Sequence, residues 1–388
     1  MFKKLSLFIF CFCFGFGYTL NPLKPKVHIY IDYATTPALL QMTDFVKQPH
    51  RDKKFIFWRR FPNLNDRVNL STLNTVQINL PESEGKNGIS WNIIVNSIRT
   101  IYNANPDAEY IIHSNLWWNE LLIPILQIIP QNQVKHIHVY EDGLSNVVHS
   151  RKHHPISIKP NHNYANDLQN ILNDTQKYSH HYDFSFHTLY PTTYHFGFVN
   201  YALTHDEFKN FLDLVTMDNI KEINWNKISQ SLSPKQKQLI FDLVDFDADE
   251  YKKQVAGKPS DFFLLRAAFS TIDEQVITAS WLFDNYDKNR ILVLKEHPNL
   301  TKRTIAKKIQ EKIPNSIIFP KHIPFEILIL ADLMPDTVSV YTTSVFFVIP
   351  KEKIKYFITS NHDTYLPFLK ELNMLTDKQI INSMKEEK

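Results

Sequence analysis

Short apolar runs rich in β-branched residues alternate with stretches of helical spacing in the first part of the chain. The former predict strands, and apolar residues that recur every three or four positions predict helices. The predicted strands are Val27–Asp32, Lys54–Arg59, Thr75–Leu80, Glu109–Ile112 and Val134–Tyr140. The predicted helices are Leu39–Val46, Ser90–Tyr102 and Trp117–Ile129. This alternation predicts a parallel sheet with helices on both faces.

The same pattern returns after a polar stretch, residues 149–189, which contains one predicted helix, Tyr164–Asp174. Two amphipathic helices, Thr204–Val215 and Ser233–Phe246, follow it. The strands predicted next are Phe262–Arg266, Ile291–Lys295, Ile317–Phe319, Val338–Tyr341 and Tyr356–Ile358. The helices among and after them are Asp273–Asn285, Thr301–Ile313, Phe325–Leu333, Leu366–Leu372 and Asp377–Lys385. The chain is therefore predicted to be an α/β protein with two Rossmann-like domains facing each other across a cleft.

We place the first domain at residues 23–183 and the second at 184–366, and we expect the helices of residues 367–388 to pack back on the first domain. Residues 1–22 are a separate segment, in which Lys3 and Lys4 precede the apolar run Leu5–Leu20. That run is shorter than the roughly twenty residues of a spanning helix. We interpret it as a signal peptide or a membrane anchor, which predicts a cell-envelope protein that contacts the membrane surface. The choice between the two, and the side of the membrane that the rest of the chain occupies, stay open.

Composition narrows the possible functions. The chain has 43 Lys and Arg against 40 Asp and Glu, a net charge of +3, which disfavours a nucleic-acid-binding protein. Both cysteines, Cys11 and Cys13, lie in the N-terminal segment, so no disulfide framework, thiolate metal site or cysteine nucleophile is expected in the domains. The sequence contains no H-E-x-x-H metal motif, no G-x-G-x-x-G dinucleotide motif and no P-loop.

Candidate chemistry in the first domain lies at the end of the strand that leads to Glu141 and Asp142. Gly143 follows directly, in a chain with only 7 glycines, where roughly 7% usage is average. A glycine directly after two acids suggests that this position needs a special backbone angle or the close approach of a ligand. Ligands bind at the carboxyl ends of strands in open α/β sheets, so the position suits a catalytic carboxylate. An ordinary acidic turn is the alternative.

In the second domain, two further strand ends carry polar groups that suit an anion. Lys295-Glu296-His297-Pro298 places a cation and an imidazole at one of them, and Thr343-Ser344 places two hydroxyls at another. A histidine beside a leaving phosphate can donate a proton or a hydrogen bond. A structural histidine and simple helix capping are the alternatives. The D-x-D sequence Asp245–Asp247, a possible metal motif, ends a predicted helix and is interpreted as a solvated helix end.

In combination, these motifs resemble the bacterial sialyltransferases of glycosyltransferase family 80. The resemblance covers nearly the whole chain after residue 26. It is carried, in order, by I-D-Y-A-T-T-P-A-L, Y-E-D-G, Y-H-F, I-N-W, L-S-P-K-Q-K-Q, K-E-H-P, P-F-E-I-L and T-S-V-F-F-V-I-P-K-E-K. It implies the GT-B fold, in which the first domain supplies the acceptor site and the catalytic base and the second binds CMP.

The resemblance also implies roles for individual residues. Asp142 is expected to be the general base, and His297 is expected to stabilise or protonate the departing CMP phosphate. The residues expected to bind the donor are Thr35, Lys295, Pro298, Glu326, Thr343 and Ser344. The residues expected to bind the acceptor are Arg60, His113, Trp117, Asp142 and Phe269. No metal and no further cofactor are expected.

The implied reaction is an inverting transfer of sialic acid from CMP-N-acetylneuraminate to a terminal galactose, with an expected α-2,3 linkage on lipooligosaccharide. Glu141 replaces the usual aspartate, a harmless change if only Asp142 acts, and Leu144 replaces a usual serine. In the acceptor region, His113, Asn115, Trp117 and Trp118 have no unambiguous equivalents in the family, so the resemblance defines the acceptor and the linkage less well than the donor. The alternatives are another CMP-nonulosonic acid donor, an α-2,6 linkage, and a non-catalytic glycan-binding envelope protein.

Overall fold

The computed structural model describes residues 24–81, 91–116, 119–142, 163–174, 186–197, 199, 215–265, 271–283, 287, 289–298, 305–341, 343, 345, 348–359, 366–371 and 375–382. Its strands are β1 (Lys26–Asp32), β2 (Lys53–Trp58), β3 (Thr75–Gln77), β4 (Glu109–Asn115), β5 (Val134–Tyr140), β6 (Thr192–Phe196), β7 (Ile220–Glu222), β8 (Ser260–Leu264), β9 (Ile291–Lys295), β10 (Ser316–Phe319), β11 (Thr337–Tyr341), β12 (Ile354–Thr359) and β13 (Ile380–Asn382). Its α-helices are α1 (Thr35–Phe45), α2 (Trp91–Ala104), α3 (Leu122–Ile128), α4 (Tyr164–Asn173), α5 (Trp225–Ser231), α6 (Pro234–Val244), α7 (Ala248–Val255), α8 (Ile272–Leu282), α9 (Ile305–Lys312), α10 (Ile327–Leu330) and α11 (Leu366–Glu371).

The described strands form two sheets in which all neighbours are parallel. The first has the order β3-β2-β1-β4-β5-β6-β7 and the second the order β10-β9-β8-β11-β12-β13. Strands β8 and β9 are buried along their whole length, as expected where helices cover both faces of a parallel sheet. The chain adds β2 and β3 on one side of β1 and β4 on the other, and it does the same around β8 in the second sheet. Parallel sheets commonly bind ligands where the strand order reverses in this way. The predicted α/β fold with two Rossmann-like domains is confirmed.

Two segments differ from the sequence-based expectations. Strands β6 and β7 belong to the first sheet, which therefore extends to Glu222 rather than ending at the predicted boundary at residue 183. The predicted helix Asp377–Lys385 is instead a 3₁₀ turn followed by β13, which pairs with β12 at the edge of the second sheet. Pairing of the β-branched Ile380 and Ile381 with a neighbouring strand outweighs a weak helical spacing. The predicted helix Thr204–Val215 lies almost wholly outside the described residues.

Helices α5 and α6, which follow the first sheet, pack on α1 and connect the two domains. Lys47 Nζ donates to Ser231 Oγ at 2.9 Å, and Gln236 Nε2 donates to the carbonyl oxygen of Val46 at 3.1 Å. One apolar cluster continues from the first sheet into the second, and a smaller cluster lies on the other face of the second sheet. The cleft between the carboxyl ends of the sheets is thus held by contacts at its base.

No helix among the described residues is long and apolar enough to span a bilayer. The apolar run Leu5–Leu20 lies outside them, so the predicted signal peptide or membrane anchor stays a prediction.

A buried ion pair allows a stability prediction for the second domain. Arg290 Nε and Nη2 donate to the Asp261 carboxylate at 2.7 and 2.8 Å, and the Thr337 hydroxyl donates to the same buried group. Arg290→Met leaves this charge without its ionic partner, and we expect it to lower the free energy of unfolding by about 3–5 kcal/mol, measured by urea denaturation. Lys252→Met, which breaks an exposed pair with Asp249, is the matched control and should change little. Equal effects of the two substitutions would contradict the prediction.

Candidate active site

Adjacent strands of the first sheet deliver four polar residues to its carboxyl edge. Asp32 ends β1, Asn115 ends β4, Asp142 lies two residues after β5, and Arg60 lies two residues after β2. Because these strands are neighbours in the order β2-β1-β4-β5, their ends lie side by side. The Asn115 amide Nδ2 donates to Asp32 Oδ1 at 3.0 Å, and the Asn115 side chain also hydrogen-bonds to Asp142.

The carboxyl group of Asp142 has the electrostatics of a general base. Burial raises its pKa to about 7, while the hydrogen bond from Asn115 and the charge of Arg60 act in the opposite direction. A carboxyl group that titrates near neutrality can take up a proton and release it again at physiological pH. Its neighbour Glu141 is more deeply buried, with a pKa raised to about 8, chiefly by burial.

The second sheet presents its own polar strand ends toward the cleft. Lys295 ends β9, His297 and Pro298 follow it by two and three residues, and Thr343 follows β11 by two residues. Burial, together with the charges of Lys295 and Arg60, lowers the pKa of His297 to about 4. The imidazole is therefore neutral at pH 7 in the ligand-free protein and can donate one N–H hydrogen bond. A phosphate beside it would raise that pKa, because a nearby negative charge favours the imidazolium form.

Arg60 places the two sets of residues in one electrostatic environment. Its Nε donates to the carbonyl oxygen of Tyr33 at 3.3 Å, which fixes the side chain at the carboxyl edge of the first sheet. Its positive charge lowers the pKa of Asp142 in the first domain and of His297 in the second. Arg60 therefore acts on one titratable group in each domain.

Glu326, in the second domain, forms a direct hydrogen bond to the first domain. It lies just before α10, is almost completely buried, and its Oε1 accepts a hydrogen bond from the Thr36 hydroxyl at 3.2 Å. Its Oε2 is buried without a hydrogen-bond partner, an unusual state for a carboxylate oxygen. The pKa of Glu326 is raised by burial, and that of Lys295, whose charge acts on it, is lowered to about 7 for the same reason. A hydroxyl-bearing ligand would satisfy Oε2.

A cavity of about 650 Å³ lies between the domains, and its lining includes Arg60 and Pro298 but not Asp142, His297 or Glu326. The first domain lines it with residues that follow β2 and β3, among them Arg59 and Arg60. The second domain lines it with Pro298, Lys321 and His322. Its volume is in the range of small-molecule sites, so the cleft can take a ligand of nucleotide or oligosaccharide size.

The remaining predicted site residues fall into three groups. Thr35 is the half-buried first residue of α1, and it is the next residue, Thr36, whose hydroxyl crosses to the second domain. His113 is completely buried in β4, with Nδ1 at 3.1 Å from the Tyr140 hydroxyl, and we leave it out of the proposed acceptor site. The predicted site residues outside the described part of the chain are Trp117, Phe269 and Ser344.

The aspartates of the D-x-D sequence serve as helix ends, as predicted. Asp245 is the left-handed residue that follows α6, with φ 60°, and Asp247 caps α7 by accepting the Glu250 N–H at 2.8 Å. Among the described residues, one group of side chains could hold a metal ion: His28, Asp44 and His113. That group lies within and beside β1 and β4, apart from the D-x-D sequence.

Comparisons with known proteins agree with this architecture. A family model described as "Sialyltransferase PMO188" matches residues 273–384, a span that includes His297, Glu326 and Thr343. No curated protein sequence matches the chain. Among solved structures, an α/β-galactoside α-2,3-sialyltransferase from Photobacterium phosphoreum is similar with 22% identity and a TM-score of 0.75, over 92% of this chain and 98% of that one.

Two further solved structures are similar. A sialyltransferase GT-B domain from Photobacterium damselae has 22% identity and a TM-score of 0.72, over 92% of this chain and 99% of that one. A 2,6-sialyltransferase from Photobacterium sp. JT-ISH-224, solved with CMP and lactose, has 20% identity and a TM-score of 0.77, over 92% of this chain and 78% of that one. The fold is therefore GT-B, the two-domain fold of many glycosyltransferases.

The position of Arg60 generates a prediction about both domains. Arg60→Met removes a positive charge that favours the carboxylate of Asp142 and disfavours the imidazolium of His297, so we expect the pKa of both groups to rise. NMR titration of the labelled carboxyl and imidazole groups would measure the two shifts. Arg51→Met, which removes an exposed arginine beside Asp52, is the control and should move neither. A shift in only one of the two groups would show that Arg60 does not act on both domains.

Gly197 provides a second prediction, about the acid next to Asp142. A Cβ atom at this position would lie 2.7 Å from Glu141 Oε1, whose carboxyl group is also hydrogen-bonded by the Gly197 backbone. We expect Gly197→Ala to lower the free energy of unfolding by about 1–3 kcal/mol, because the buried carboxyl group must move. The shorter side chain of Glu141→Asp should recover part of this loss when the two substitutions are combined. An equal cost of Gly197→Ala in both backgrounds would exclude this explanation.

Proposed function

We propose that the protein is a sialyltransferase that moves sialic acid from CMP-sialic acid to a terminal galactose of a glycan, with inversion and without a metal ion. The observation that carries the proposal is that Asp142 and His297 lie after strand ends of the two different sheets and that the charge of Arg60 acts on the pKa of both. The GT-B fold and the sialyltransferase model matched by the second domain support it. The linkage that we expect is α-2,3, although the similar structures include enzymes of both linkages.

In the proposed reaction, Asp142 accepts the proton of the galactose hydroxyl while that oxygen forms a bond to C2 of sialic acid. The bond between C2 and the CMP phosphate oxygen breaks, and its electron pair leaves with the phosphate. His297 and the hydroxyl of Thr343 donate hydrogen bonds where this negative charge develops, and such donors contribute most in a dry site. The unpartnered oxygen of Glu326 accepts from a ribose hydroxyl.

The proposal is tested by incubating the full chain with CMP-sialic acid and lactose and determining the product linkage by NMR. We expect a sialylated lactose, and slow release of free sialic acid when lactose is omitted. If the protein transfers sugar only from a different CMP-nonulosonic acid and not from CMP-sialic acid, that compound is the donor instead. If calorimetry detects CMP binding but neither transfer nor hydrolysis follows, the protein is a binding protein rather than an enzyme.

The base and its pH dependence give a sharper prediction. Asp142→Asn should reduce kcat by roughly 10²–10⁴-fold, the usual contribution of a general base. Because the base must be ionised, kcat of the natural sequence should fall as the pH drops through about 7, the pKa of Asp142. Asp245→Asn is a matched control at the D-x-D sequence and should keep full activity, also in the presence of EDTA. Loss of activity in that control, or with the chelator, would contradict the assignment of these acids.

A further inference from the structure

A chain of buried side chains connects the interior of the first domain to Asp142. Asp32 is completely buried and accepts hydrogen bonds from the Ala34 N–H and from Gln41 Nε2, each at 2.8 Å, and from Asn115 Nδ2 at 3.0 Å. Gln41 is fixed in turn, since its Oε1 accepts from the indole N–H of Trp58 at 2.7 Å. These groups come from β1, β2, β4 and α1, so the chain crosses the centre of the sheet.

This arrangement determines the orientation of one amide. Asn115 has two N–H bonds on its side-chain nitrogen, and Asp32 accepts one of them. With that bond made, the second N–H and the oxygen of the Asn115 amide are left for other partners. The Asn115 side chain is also hydrogen-bonded to Asp142. Asp32 cannot turn away to release the amide, because Ala34 and Gln41 hold its two oxygens. Asp142 is thus held by the Asn115 amide, which Asp32 in turn keeps in place.

We propose that Asn115 and Asp32 are positioning residues for Asp142: Asp32 orients the Asn115 amide, and the amide holds the carboxylate in the geometry and the charged form that proton removal requires. The inference rests on the proposed function, and neither residue is assigned a contact with substrate. A base displaced by about 1 Å can lose roughly 10²-fold in rate, so the support is expected to act on kcat rather than on substrate binding.

The titratable groups around Asp142 make the hydrogen bond from Asn115 measurable through the pKa of Asp142. The groups that face it are Arg60 after β2, Asp32 at the end of β1, and Glu141, its neighbour in the chain. A hydrogen bond from Asn115 to the ionised carboxylate lowers the pKa of Asp142. Asn115→Ala removes this bond and leaves the three surrounding groups in place, so the pKa of Asp142 must rise.

The experiment compares Asn115→Ala, Asp32→Asn and the double variant with the natural sequence. For Asn115→Ala we expect kcat to fall by roughly 10²-fold at pH 7, the KM for CMP-sialic acid to stay unchanged, and the acid side of the pH profile to move to higher pH. Asp32→Asn keeps the side-chain volume but places an NH₂ group among N–H donors, and it should also lower kcat. The double variant should be no slower than Asn115→Ala alone, because the two residues act as one unit.

A matched control separates positioning from stability. Asn105 is a second buried asparagine of the same domain, four residues before β4, and it bonds to Lys53 and to the backbone of Ile101. Asn105→Ala should lower the unfolding temperature without moving the pH profile. An unmoved profile in Asn115→Ala, or additive losses in the double variant, would overturn the proposal.

A readout without substrate keeps this inference distinct from the proposed function. The ¹³C carboxyl resonance of Asp142, assigned with Asp142→Asn, should titrate at higher pH in Asn115→Ala than in the natural sequence. If the natural protein transfers no sialic acid, the proposed function fails, but the titration still tests whether Asn115 positions Asp142. If Asp142 titrates at the same pH in both proteins, the positioning role is overturned, whatever the activity.

Discussion

Everything in the cleft depends on how one carboxyl group, that of Asp142, is kept both buried and able to ionise. Burial alone would make it a neutral acid at pH 7, and full exposure would make it a weak base with an ordinary pKa. The amide of Asn115 and the charge of Arg60 partly offset the cost of burial, and the result is a pKa of about 7. The balance requires donors from two other strand ends, which only a parallel sheet with this strand order brings to the same place.

In the second domain, burial and charge affect His297 and Glu326 in a different way. His297 is kept neutral by burial and by two cations, so the ligand-free cleft carries an imidazole that is ready to gain charge when an anion arrives. Glu326 carries a buried oxygen without a partner and holds the Thr36 hydroxyl with the other. Both features cost stability in the empty protein, and a nucleotide with a phosphate and ribose hydroxyls would remove both costs. The polar groups of the empty site are therefore better satisfied by such a ligand than by one another.

The sequence predicted those parts of the site that local patterns encode. Asp142 could be found because a strand, two acids and a rare glycine follow one another, and His297 because the strand-ending proline stands beside it. Asp32 and Asn115 were missed as functional residues, although H-x-Y-x-D in β1 and H-x-N in β4 place polar residues on one strand face. Their roles depend on the register between β1, β4 and β5, and no single strand contains that information.

The same limit applies to His113, which the resemblance implies to be an acceptor-binding residue and which the structure buries in β4. It belongs to a row of rings that stack across β1, β4, β5 and β6, with Tyr30, His138, Tyr140 and His195. Burial lowers the pKa of each of these histidines, so the row is neutral at pH 7. A neutral row adds no positive charge beneath the carboxyl edge of the sheet. The uncharged state of these histidines therefore follows from their packing in the sheet and not from their residue type.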